Sequence, residues 1–395
     1  MAEQSAVRVG AGAVAITTST VLPVFLLGAL SVQIGAELHF DPAALGLVVA
    51  LYFGVSALAS LPVGKLVERW GSRRTSRVAV CGAAGFMLLT GLVPWNYASL
   101  VAILLCGAWC NVMGQLSSNL TLARSMPEHR MGLSFGVKQA SVPLATLLAG
   151  VAVPAVALTV GWRWAFVIAA GLALTALAAA PRGSGPATRD RAVPEDRATG
   201  ALAVIGAAAG LGAAAATGLG IFLVSAAVDQ GVDPGTAGFV LTLGSVVGLV
   251  MRMLHGYLAD RRSGAHIAFV AGSLLSGAVG LALLAVPGPV TLIAGVVLGF
   301  GLGWSWPGLL QYAVVRLNPS APAAATAIVQ VGVYAGGFVG PIGFGFLATH
   351  ASFTVAWFVS AAAMLVAGAG VLVGRRMLVA HRVAQERRSA SAIAS

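Results

Sequence analysis

Charge is what this sequence has least of: Asp, Glu, Lys and Arg make up 9% of its 395 residues, against about 25% in an average globular chain. A soluble enzyme of this length is excluded on that ground. Acids are scarcer than bases, 12 against 23, and lysine is scarcest of all, with Lys65 and Lys138 beside 21 arginines. The three cysteines, Cys81, Cys106 and Cys110, fall in apolar stretches and read as small buried hydrophobes. No GxxxxGK[ST] loop is present, so nothing supports an ATP-driven pump. Nucleophile–base pairs and metal-ligand clusters are missing too, so neither an enzyme nor a cofactor is expected.

What is abundant is apolar surface. Hydrophobic residues make up 58% of the chain and the mean hydropathy is +0.92. Uncharged runs of 18 or more residues recur, each long enough to cross a bilayer as a helix. Twelve spans are expected: 10–36, 43–64, 78–93, 100–122, 132–160 and 164–180, then 200–228, 237–258, 265–286, 290–315, 323–349 and 353–374. Residues 1–180 form one six-helix bundle and 200–374 another. The Arg-, Pro- and acid-rich segment 181–199 is a solvated linker, and 375–395 is a basic tail suited to an anionic lipid leaflet. The 51 glycines suit helices that pack closely in lipid.

The positions of the few charges set an orientation. With both termini cytoplasmic, 20 of the 23 Lys and Arg fall in cytoplasmic segments, Lys138 and Arg252 fall within spans, and only Arg163 lies outside. The inverted arrangement violates the positive-inside rule. The net charge of +11 therefore reflects membrane topology, and no nucleic-acid partner is implied. The expected location is the plasma membrane, the inner membrane of a bacterium.

The two halves also repeat each other. Gly64-Lys65-Leu66-Val67-Glu68-Arg69-Trp70-Gly71 recurs 192 residues later as Gly256-Tyr257-Leu258-Ala259-Asp260-Arg261-Arg262, and Arg124-Ser125-Met126-Pro127 recurs as Arg316-Leu317-Asn318-Pro319. Gln139 maps onto Gln330 at an offset of 191. Several matches in register argue for duplication, hence two six-helix bundles around a central path.

The segment Gly64 to Arg74 resembles the loop 2–3 motif of the major facilitator superfamily, G-x-L-x-D-R-x-G-R-[RK], with Glu68 and Ser72 as departures. The second copy resembles that family's weaker loop 8–9 repeat, and Gly161-Trp162-Arg163-Trp164-Ala165-Phe166 its turn between spans 5 and 6. The resemblance implies an all-α transporter fold that acts as a monomer by alternating access. It also implies a latch on the cytoplasmic side: Gly64 and Gly256 for close packing, and Glu68, Arg69, Arg73, Asp260 and Arg261 for charge.

Ionisable groups inside spans are costly, about 2.5–3.5 kcal/mol for Lys or Arg at a helix centre. Lys138 on span 5 and Arg252 on span 8 are the two present, and no span offers either an acid. The resemblance implies that spans 5 and 8 face each other across the interface of the two bundles, where two cations at matching depth make a site for a small organic or inorganic anion; snorkelling to the interface is the alternative. Arg252, four residues before Gly256, resembles the span-8 arginine of monocarboxylate and oxalate/formate transporters, and the Gly-Val-Lys-Gln stretch resembles the monocarboxylate and cyanate-permease branches. Polar residues supply further candidate contacts: Asn111, Gln115, Ser118 and Asn119 on one side of span 4, then Tyr52, Gln139, Trp304, Gln311, Gln330 and Tyr334. His255 is a candidate for coupling a proton to transport. The competing reading is a drug/proton antiporter exporting lipophilic compounds, which usually carries an acid within its spans.

Overall fold

The computed structural model describes residues 6–125, 131–179, 198–261, 266–317 and 322–394, so most of the linker 181–199 lies outside the described residues. Among these, eleven helices are long and apolar enough to cross a membrane, and Trp162–Ala178 is a shorter twelfth. Seventeen residues rise about 25 Å, the short end of the lengths that cross a bilayer.

Span 1 runs over Ala6–Ala29, and past a break at Leu30 a short helix, Ser31–Leu38, leads out of it. Spans 2 and 3 form one run, Pro42–Leu92, bent at Gly71, whose φ of 74° and ψ of 164° lie in a region open essentially to glycine. Span 4 is Tyr97–Ser125. Span 5 is Met131–Gln139 and Ser141–Ala152 followed by a π-turn, Val153–Ala157. Gly161, with φ of 99°, then reverses the chain into span 6, which begins at Trp162–Thr175.

The second half repeats the plan. Span 7 is Thr199–Ile221 with Leu223–Asp229, span 8 is Pro234–Arg261 and span 9 is His266–Leu284. Span 10 is broken into Pro289–Leu298, a π-turn Gly299–Gly303, and Pro307–Leu317. Span 11 is Pro322–His350. Span 12, Phe353–Ala394, continues through the basic tail as one helix.

Packing follows the duplication: span 1 lies against 5 and 6 as span 7 lies against 11 and 12. The 7–11 contact is the tightest in the molecule's glycine pattern. Gly206, Gly210 and Ala214 of span 7 meet Gly332, Gly336 and Gly340 of span 11 backbone to backbone. Three small residues at four-residue spacing on each helix remove the side chains that would otherwise hold the axes apart.

Between the halves, span 5 packs on span 8 and span 2 on span 11. The face bearing the Gly71 turn and exposed Arg69, Arg73, Arg74 and Arg77 is the basic face. The opposite face carries Glu37, Asp41 and Asp233. At that opposite end, Gly46 meets Pro341 and Gly345 of span 11, and the Ala43 N–H donates to Thr349 Oγ1 at 2.9 Å.

The two latch glycines behave differently. Gly136 of span 5 sits where a Cβ would lie 3.2 Å from the Gly256 Cα, so the 5–8 seam is closed toward the basic face. Gly64, its counterpart in the first half, has no atom within 4 Å of such a Cβ. The close 2–11 packing expected at Gly64 is therefore made near Gly46 and Gly54, about three to five turns further from the basic face. Glu68, Arg69 and Arg73 are exposed and have no ion-pair partner among the described residues. Arg261 lies over the Tyr257 ring at 4.3 Å, and the Asp260 side chain lies outside the described residues.

Cysteine burial also differs from the expectation. Cys110 is buried, whereas Cys81 and Cys106 are exposed. A surface that meets hydrocarbon accepts a thiol as readily as a core does, so an apolar run does not separate inward from outward positions.

A clasp closes the first half at the opposite face. Arg163 pairs with the Glu37 carboxylate and donates to the Pro94 carbonyl oxygen at 2.7 Å, and Trp162 Nε1 donates to Glu37 Oε2 at 2.6 Å. Burial pushes the Glu37 carboxyl up, but the hydrogen bonds from Arg163 and Trp162 and the Arg163 charge outweigh it and hold its pKa below the usual value. A lowered folded-state pKa contributes stability above the unfolded pKa that is lost as pH falls through the folded one. Glu37→Gln is therefore expected to lower the melting temperature modestly at neutral pH. That deficit should shrink as the buffer is acidified from the unfolded carboxylate range through the folded-state pKa of Glu37. A deficit that stays constant across this range rules the clasp out as a source of acid sensitivity.

Candidate functional site

The site forms where spans 5, 8 and 10 meet. Span 5 is broken beside Gln139 because Pro143 has no N–H to donate to the carbonyl four residues earlier. Span 10 is broken at Trp304 to Trp306, ahead of Pro307. Both breaks leave backbone carbonyls outside the helical ladder. One of the two freed by the prolines is satisfied internally, since Trp306 Nε1 donates to the Gly303 oxygen at 2.9 Å.

Arg252 takes the others. Its Nη1 donates to the Gln139 carbonyl oxygen at 2.5 Å and its Nη2 to the Trp304 carbonyl oxygen at 2.6 Å. The guanidinium carbon lies 5.7 Å from the centre of the Trp304 ring, close enough for cation–π attraction. Trp304 in turn meets Phe25 of span 1 and Phe300 edge-on, and its ring presses on Gly220 of span 7. These contacts roof the site on the side away from the basic face.

Lys138 is held separately. Its ammonium donates to Gln115 Oε1 of span 4 at 2.7 Å. Lys138 is 7% exposed and Arg252 4%, so neither reaches water by snorkelling. Each has neutral hydrogen-bond partners, and no carboxylate pairs with either among the described residues.

A chain of amides links the halves beside Arg252. Gln139 Nε2 donates to Gln311 Oε1 at 3.4 Å, and Gln311 Nε2 donates to Gln330 Oε1 at 2.9 Å. The duplicated pair Gln139 and Gln330 thus meets through a residue of span 10. A crevice of about 10 Å³, room for roughly one water molecule, is lined by Gln139, Arg252, Ser305, Leu309 and Tyr312 among others.

The remaining candidates are dispersed. The polar residues of span 4 point to different neighbours: Asn111 donates to Ser56 of span 2 at 3.4 Å, Ser118 accepts from Thr17 of span 1 at 3.1 Å, and Asn119 is exposed. The expected polar side of span 4 is thus shared among three packing contacts, and only Gln115 joins a cation. Tyr52 is buried in the first half and donates to the Thr20 carbonyl at 3.2 Å. Tyr334 of span 11 lies beside Gln330. His255 is buried one turn from Arg252, edge-on to Phe269 and beside the Ser305 backbone. Phe25, Thr146 and Ser245 were not among the sequence candidates. Ser245 Oγ donates to Thr146 Oγ1 at 2.7 Å across the 5–8 seam. Pro143 was not among the sequence candidates either: a proline inside an apolar run marks a helix break, but what its freed carbonyl meets is not a local property.

Comparison with known proteins follows the same lines as the fold. The family profile described as Major Facilitator Superfamily matches residues 9–193 and 205–393. A curated relative, the "Uncharacterized transporter YycB" of Bacillus subtilis (strain 168), is 28% identical over 364 residues, covering 87% of each chain. Among solved structures, a bacterial homolog of the human lysosomal transporter Spinster, in an inward-facing and occupied conformation, superposes with a TM-score of 0.71. It is 15% identical and covers 93% of this chain and 96% of its own; at that identity the likeness is one of fold.

Proposed function

The chain belongs to the Major Facilitator Superfamily, and from that premise we propose that it moves a small organic or inorganic anion across the membrane by alternating access. That it is a secondary transporter follows from the family; the anion is the reading of this site. One observation carries it: two buried cations, Arg252 at the seam between the halves and Lys138 against Gln115 of span 4, stand without a carboxylate among the described residues. A buried cation held only by neutral groups has unspent capacity for an anion, because charge-assisted bonds are about twice as strong as neutral ones.

Gln115, Gln139, Gln311 and Gln330 would orient the anion once the crevice widens. The basic face is the cytoplasmic one on the positive-inside argument, so the Arg252 crevice would be reached from inside the cell once spans 5 and 8 part on that side.

Thermal melting of the purified protein tests the reading. Formate, acetate, oxalate, cyanate and nitrate are each compared with lipophilic cations such as tetraphenylphosphonium. A ligand present at about 100 times its Kd adds about 2.7 kcal/mol of stability, so at least one of the anions should raise the melting temperature. That shift should vanish in Arg252→Ala. Stabilisation by lipophilic cations alone would overturn the proposal in favour of a drug exporter.

A further inference from the structure

We propose that Pro143 is a positioning residue that makes the Gln139 carbonyl the resting partner of Arg252, so that anion capture and separation of spans 5 and 8 become one event. The ligand in this statement rests on the anion reading above; the bracket itself does not.

In an unbroken helix the carbonyl of residue 139 would accept from the N–H of residue 143, and proline has none. A buried carbonyl without a donor costs about 1–3 kcal/mol, so something must serve it. Here the donor comes from the other half of the molecule: Arg252 Nη1 on span 8. The second arm of the same guanidinium is fixed to Trp304 of span 10. Arg252 is therefore a two-armed bracket with one arm in each half.

Around it the seam is closed. Gly136 rests on the backbone of Arg252 and Gly256, and the Gln139 and Gln311 amides touch at 3.4 Å. The crevice beside Arg252 has space for little more than a water molecule, so an anion cannot add to this arrangement; it must replace part of it. The arm that can be spared is the one on Gln139, since the anion offers a full charge where the carbonyl offers a partial one. Releasing it removes the bracket between spans 5 and 8. A ligand shifts a conformational equilibrium only through its differential affinity for the two states. Here the difference is built in, because the high-affinity state is the one in which Arg252 has let go of the first half.

Pro143→Ala returns the missing N–H. The Gln139 carbonyl is then served from within span 5, and Arg252 loses a partner without being altered. The test uses spin labels at Ser134 on span 5 and Arg261 on span 8 in a background with Cys81, Cys106 and Cys110 replaced by serine. Double electron–electron resonance is read without any substrate. The separated population in Pro143→Ala should rise about fivefold over the parent, the factor that goes with about 1 kcal/mol of one net hydrogen bond. Arg252→Ala should give a similar rise, and the double variant no more than Arg252→Ala alone, because both act on one bracket.

A purely structural proline would lower the melting temperature and leave the distances unchanged, or would add to Arg252→Ala; either result overturns the proposal. Arg252→Lys serves as a second variant if Pro143→Ala does not fold. Lysine lacks the planar two-armed fork by which Arg252 meets each carbonyl with its own nitrogen, so it too should raise the separated population, and an unchanged distribution overturns the proposal equally. Uptake of formate and nitrate into proteoliposomes separates the two claims. Parent protein with the distance shifts but no anion uptake refutes the anion reading alone; uptake without the shifts refutes the bracket.

Discussion

Arg252→Ala is expected to reduce saturable anion uptake in proteoliposomes on the order of 100-fold or more, while the purified protein remains folded and monodisperse. The size of the effect comes from the chemistry lost. A guanidinium offers two parallel donors and a full charge, and hydrogen bonds to charged groups contribute about 1.5–3 kcal/mol each.

The fold is expected to survive because two changes oppose each other. The Gln139 and Trp304 carbonyls lose their donors, which destabilises, and an uncompensated buried charge disappears, which stabilises. Lys138→Ala should behave alike, with Gln115 Oε1 as the partner left behind. Arg252→Lys keeps the charge and loses the fork, so it should retain a fraction of the activity. Side-by-side uptake assays of the single and double alanine variants check this. A double variant that transports the same anions at the parent rate removes both residues from the mechanism.

The second large effect concerns stability. Gly336→Ala is expected to abolish the monodisperse peak in fluorescence-detected size-exclusion chromatography, or to lower the melting temperature steeply. A Cβ at Gly336 would lie 1.9 Å from the Gly210 carbonyl oxygen, and one at Gly332 would lie 1.9 Å from that of Gly206. Backbone cannot rotate aside as a side chain can, so spans 7 and 11 would have to move apart by an ångström or more. Overpacking in ordinary cores costs about 1–3 kcal/mol, and a backbone collision in the midst of a glycine stripe belongs at or above the upper end. Gly343→Ala on the same span is the control, since a Cβ there meets nothing within 4 Å. Equal melting temperatures for Gly336→Ala and Gly343→Ala would sink the explanation. Both helices of this contact lie in the same half, so no sliding of one half on the other relieves it. At Gly64 the situation is reversed: an alanine there meets nothing in this conformation, and any cost would arise in a state where spans 2 and 11 close toward the basic face.

Much of the architecture was legible without coordinates. Span number and the two-fold repeat depend on local hydropathy and residue order, because lipid as a solvent obliges each crossing segment to be apolar and helical on its own. The outlying positions of Lys138 and Arg252 were visible for the same reason: a charge in such a segment stands out. What could not be read was which way each helix faces. Lipid-facing and protein-facing surfaces are both apolar, so Cys106 and Cys110, one turn apart, ended on opposite sides of the burial boundary. Span 4 likewise sent Asn111, Gln115 and Ser118 to three different helices.

By itself, then, the sequence determined that this chain is a duplicated bundle of membrane helices with two cations where charge is costly. Tertiary structure alone decided what those cations hold. Arg252 found its partners 113 and 52 residues away in the chain, in carbonyls released by helix breaks, and Lys138 found Gln115. Proline announces a broken helix, but the group that serves the freed carbonyl is set by which helix packs beside it and at what rotation, and neither quantity is local.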